Sequence, residues 1–147
     1  SRGVYVLEKT VDIAAVCTAG GISALTAADI IQAIDVPAES YIIHAGVEVL
    51  TALNGTTPLL DVDFAAGDDL VDGFDATGTG YAAAGTNGHV DYTAVTTFSN
   101  RVTSADTIDI KVNAGANDVS TGKIRVYAIL ADISGLDETD SLQAVTF

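Results

Sequence analysis

The chain has no tryptophan and no methionine, one cysteine, two prolines and six basic residues among its 147. Each shortage removes a class of explanation. Cys17 alone cannot form an internal disulfide, so the fold must rest on its core. A chain of this length buries roughly 70% of the surface its unfolded form exposes, which is enough for one domain without covalent or metal staples. The longest uncharged run, Ile13 to Ala28, is interrupted by Thr18, Gly20, Gly21, Ser23 and Thr26. It falls short of the roughly 18 apolar residues that a membrane span needs, so a soluble chain with no membrane contact is expected. No basic segment leads into an apolar stretch near Ser1, so no uncleaved secretion signal is expected either.

Positive charge is scarce and unevenly placed. The basic residues are Arg2, Lys9, Arg101, Lys111, Lys123 and Arg125, so Thr10 to Asn100 contains none, and 20 acidic residues bring the formal charge to -14. A surface of this sign repels phosphate backbones and anionic headgroups, which argues against nucleic acid as a partner. It also keeps a protein soluble in a salty medium, where the screening length falls to roughly 3–8 Å.

Period-two alternation dominates what is present. In Tyr41 to Leu53 the odd positions Tyr41, Ile43, Ala45, Val47, Val49 and Leu53 form an apolar face opposite His44 and Glu48, as in a half-buried strand. Pro37 fixes the turn before it, after a strand from about Asp29 to Val36. Thr26 to Ile34 admits a second reading as a short helix with Thr26 as N-cap, although its β-branched residues favour a strand. Asn54-Gly55 is a type I′ hairpin signal. It points to a partner strand Thr57 to Phe64, with Leu60, Val62 and Phe64 inward and Asp61 and Asp63 outward. Val4 to Val16, Val90 to Phe98 and Ile108 to Val112 also read as strands, and Lys123 to Ile133 as a central strand apolar on both faces. Gly67 to Gly88 reads as a long Asp- and Gly-rich loop, and Ala114 to Thr121 as a shorter one. The expected fold is all-β: an antiparallel β-sandwich, most simply a jelly roll, over residues 1–134, with extended terminal arms, the C-terminal one spanning 135–147.

Reactive chemistry finds little support. Six aspartates fall between Asp61 and Asp75, which fits either a solvated hairpin end or a weak calcium site; the EF-hand spacing fails, with Ala65 and Ala66 at positions five and six and Asp72 at twelve. Gly78 to Ala83, GTGYAA, matches a dinucleotide fingerprint in letters but lies among aspartates and loop glycines rather than between a parallel strand and a helix. Cys17 has no basic neighbour and reads as a buried, inert thiol. His44 and His89 lack the spacing of a metal site. No catalytic, cofactor-binding or metal-binding residue is assigned, and no cofactor is expected.

The stretch IIQAIDVPAESYIIHAGVEVLTALNG, followed by GDDLVDGFDATGTGYAAAG, resembles the capsid decoration, or cement, proteins of tailed bacteriophages over about Asp29 to Gly88. In that family a strand ending in an Ile/Val-Pro-Ala turn leads into a strand closing on Gly/Asn and then an Asp-Gly-Phe loop. The resemblance implies a non-enzymatic β-sandwich or jelly roll, often a homotrimer, on the outer surface of the virion. There it ties neighbouring major capsid protein subunits together. The apolar positions Val4, Tyr5 and Val6 on one arm, and Leu142, Val145 and Phe147 on the other, are the interface candidates. Another exterior virion component, such as a neck, tail or fibre-base domain, and a calcium-dependent carbohydrate-binding jelly roll are the alternatives.

Overall fold

Alternating apolar residues become antiparallel β-strands in two sheets in the computed structural model, which describes residues 3–64, 68–83, 101–113 and 118–134. The elements are β1 (Val4–Asp12), α1 (Ile13–Gly20), β2 (Ile30–Val36), β3 (Ser40–Thr51), β4 (Leu59–Phe64), β5 (Asp68–Asp75), β6 (Gly80–Ala83), β7 (Arg101–Val102), β8 (Asp106–Val112) and β9 (Lys123–Asp132). The first sheet runs β1-β9-β3-β6, with β7 also on β3; the second runs β2-β8-β4-β5. The fold is the all-β, antiparallel sandwich that the alternation predicts. β9 is central as expected, with Ile124, Val126, Ala128 and Leu130 fully buried between the sheets. They face Ile108, Ile110, Val112, Leu60, Val62 and Val71 of the second sheet, all likewise inaccessible.

The first departure from expectation is α1. The strand read over Val4 to Val16 stops at Asp12, whose carboxylate accepts from the Ala14 and Ala15 backbone N–H groups at 3.0 and 3.4 Å and caps a helix. Gly21, at φ 66°, ends it in the left-handed conformation. Small residues let this one helix face pack closely, and Ile13 and Cys17, four apart, turn into the core. The alternative helix at Thr26 to Ile34 does not form. Instead Asp29 accepts from the Thr26 N–H at 2.8 Å and closes a turn that feeds β2.

In β3 the inward face changes parity. Ser40 and Ile42 are buried, then Ala45, Val47 and Val49. The pairing with β9 slips between Ile42 and His44, a bulge that spends one residue and turns Ile43 to solvent. The apolar odd-numbered face expected from Tyr41 to Leu53 therefore holds at Ala45, Val47, Val49 and Leu53 and fails at Tyr41 and Ile43. Asn54-Gly55 does not make a type I′ hairpin, because Gly55 has positive φ but Asn54 does not. The chain there crosses from the first sheet to the second, and β4 pairs with β5 and β8 rather than with β3. Asn54 serves as a splice. Its Oδ1 accepts from the Ser120 and Thr121 N–H groups at 2.8 and 2.9 Å, and its Nδ2 donates to Ser120 Oγ at 2.8 Å.

Gly67 to Gly88 is not one long loop, since it contains β5 and β6. GTGYAA accordingly ends in an antiparallel strand on β3. In the loop read from Ala114 to Thr121, Val119 is a core residue that exchanges backbone hydrogen bonds with Leu25. The strand read over Val90 to Phe98 lies outside the described residues.

Gly122 (φ 121°) is where glycine is required. A Cβ there would stand 2.9 Å from the Leu53 Cα, and its carbonyl accepts from the Ile13 N–H at 3.0 Å. Gly122→Ala should therefore lower stability by ~1–3 kcal/mol, and Asn54→Ala by ~0.5–1.5 kcal/mol, both read as reduced urea midpoints at unchanged slope.

Candidate interface surfaces

Alternation along β1 splits the N-terminal interface candidates. Val4 and Val6 are 66% and 63% exposed on the outer face of the first sheet, whereas Tyr5 and Leu7 point inward and pack against the core. These residues belong to a strand paired with β9 along its whole length, not to an extended arm. Leu142, Val145 and Phe147 lie outside the described residues.

Register assembles the outer face of the first sheet in rows. Val4, Ala131 and Tyr41 lie side by side; so do Val6, Ile129 and His44, then Glu8, Tyr127 and Gly46, then Thr10, Arg125 and Glu48. The upper rows are apolar except for His44. In the lower ones Arg125 forms an ion pair with Glu48. The Tyr127 ring lies over Gly46, where a Cβ would collide with it, and stands 6.1 Å from the His44 ring. Tyr81, 77% exposed, continues the last row on β6. The patch was legible in VYVLEKTVD, where even positions run from Val4 and Val6 into Glu8, Thr10 and Asp12. Ile43 was not, because its exposure depends on the bulge.

The outer face of the second sheet is acidic. Asp61 and Asp63, expected to be solvated, are 5% and 4% exposed, because β4 is an interior strand flanked by β5 and β8. Asp61 is committed to structure. It accepts from the Gly73 N–H at 2.7 Å and from Asn113 Nδ2 at 3.2 Å. Asp63 stands in register with Asp109. Burial pushes the Asp109 carboxyl above its ordinary range, against the hydrogen bond from the Thr107 hydroxyl and with a further push from Asp106. Among the described residues, no group of three or more His, Cys, Asp or Glu side chains is arranged to hold a metal ion. Cys17 is buried, with its Sγ 3.9 Å from the Val119 carbonyl oxygen. The surface offers areas of contact and fixed charge.

No protein-family model and no curated protein matches the chain. Its fold does recur in solved structures. A chain of the cyanophage Pam1 capsid asymmetric unit superposes with a TM-score of 0.56 at 18% identity, over 88% of this chain and 85% of that one. A chain of the Ralstonia phage GP4 capsid superposes with a TM-score of 0.57 at 16% identity, over 88% of this chain and 84% of that one.

The folded chain holds the Asp109 proton to higher pH than the unfolded chain, so the stability contributed by the neutral carboxyl is lost as pH rises through the folded value. Asp109→Asn keeps an acceptor for Thr107 and removes the half-buried charge. The melting temperature should rise at pH 7 relative to the unaltered chain, and the gain should vanish below about pH 3.9, the ordinary aspartate value.

Proposed function

We propose that this chain is a non-enzymatic structural protein of a phage virion, seated on the capsid exterior, where it stabilises the head by bridging neighbouring major capsid protein subunits. The observation that carries this reading is the fold. Nearly nine-tenths of the chain follows the path of chains found in two phage capsids. The charge supports the exterior side of the shell. A chain at -14 would face strong repulsion from packaged DNA if it lined the interior. A stiff two-sheet sandwich also suits a passive brace, because close-packed interiors transmit load with little deformation.

Such a brace works through contact area. A stable protein interface buries about 1,200–2,000 Å² in total, and a protein that binds the assembled shell but not its dissociated subunits shifts the equilibrium toward the shell by mass action. Copies joined as a homo-oligomer gain further from avidity on a repeating lattice.

The test compares heads with and without the protein. Decorated heads should rupture at a higher temperature and withstand a larger osmotic shock than stripped heads, and adding the protein back should restore the difference. Unchanged rupture, with the protein left in the supernatant, contradicts the proposal. Calcium-dependent retention on a carbohydrate resin would instead favour the sugar-binding module.

A further inference from the structure

The outer edge of β1 is an unusual surface for so anionic a chain. Among the described residues β1 pairs on one side only, with β9, in a register free of bulges. The Asp132 N–H donates to the Gly3 carbonyl at 2.9 Å. Carried along the register, this means that Tyr5, Leu7, Lys9 and Val11 spend their backbone groups on β9. Val4, Val6, Glu8 and Thr10 direct theirs to the open side. Natural edges are usually blunted by proline, bulges, very short strands or charged side chains. Of these, Val4–Asp12 carries only charges, and Glu8 and Lys9 are of opposite sign.

Charge decides what such an edge can meet. Within β1 and β9, Lys9, Lys123 and Arg125 balance Glu8, Asp12 and Asp132, so this strand pair is formally neutral while the whole chain stands at -14. A second copy can therefore approach this strand pair with little of the repulsion that the whole chain would exert.

We propose that β1 pairs antiparallel with β1 of a second copy about a two-fold axis at Leu7. This register sets Val6 opposite Glu8, Val4 opposite Thr10 and Tyr5 opposite Lys9 of the other copy, so no like charges face each other. It engages the outward groups of all four residues Val4, Val6, Glu8 and Thr10. Sliding the axis to Glu8 opposes two carboxylates; sliding it to Val6 takes Thr10 out of the ladder with Val4 to Glu8. The contact is isologous and closes as a dimer, in place of the three-fold assembly that the family resemblance implies. It joins the first sheets of the two copies edge to edge and brings their Val4 and Val6 rows onto one outer face. It goes beyond the capsid reading and does not rest on it.

The test uses the full chain. Leu7 falls on a non-hydrogen-bonded pair, where Cα atoms lie about 4.5 Å apart, within the range that a disulfide spans. Leu7→Cys should give a covalent dimer on mild oxidation, reversed by reductant. Val4→Cys, displaced from the axis, and the unaltered chain with its buried Cys17 should not. Val6→Pro removes an outward N–H that β9 does not use, so the strand spectrum should persist while dimerisation in sedimentation velocity weakens at least tenfold. A folded Leu7→Cys chain that stays monomeric, whether because residues 135–147 cover the edge or because nothing pairs there, overturns the proposal. Equal cross-linking of Val4→Cys, or dimerisation of Val6→Pro at full strength, overturns it as well.

Discussion

β9 is the strand on which the rest of the molecule depends. It pairs along its length with β1 on one side and β3 on the other, and its inward residues Ile124, Val126, Ala128 and Leu130 are fully buried against the second sheet. Cutting Ile124, Val126 or Leu130 back to alanine would open a cavity worth ~1–5 kcal/mol. Its outward residues set the surface as well: Arg125 holds Glu48, and Tyr127 covers Gly46. Just before it, Gly122 and the Ser120–Thr121 backbone tie down α1 and Asn54. One stretch thus couples core, edge and the crossing between sheets.

Much of this architecture was legible in the alternation itself. KIRVYAILADI read as a central strand and is one; Ile108 to Val112 and Leu60 to Phe64 turned the predicted side chains inward. What was missed has local physical causes. A bulge is invisible to a period-two reading, so Tyr41 and Ile43 were placed on the wrong face. Asn54-Gly55 carries the letters of a tight hairpin, yet long-range bonds to Ser120 and Thr121 make it a splice between sheets. Asp12 and Gly21 bracketed a helix in plain view, but Val11, Ile13 and Val16 favoured the strand reading. Asp61 and Asp63 were read as solvated because aspartate favours turns; the interior position of β4 buries them, with Gly73 and Asn113 as partners for Asp61.

The candidate surfaces were legible to a different degree. Val4 and Val6 followed from composition, but that Tyr5 faces the opposite way follows from the pleat, and the unpaired edge follows only from sheet order. The two outer faces differ in kind. One carries apolar rows on a formally neutral strand pair, and the other carries buried and half-buried carboxylates.

The most direct measurement is a binding isotherm of the purified protein against assembled, undecorated heads and, separately, against dissociated major capsid subunits. Saturable binding to heads with little or none to free subunits is the expected result, since a bridge needs both of its anchor points in place. Equal binding to free subunits, or no binding to heads at all, would contradict a brace that works by spanning neighbours.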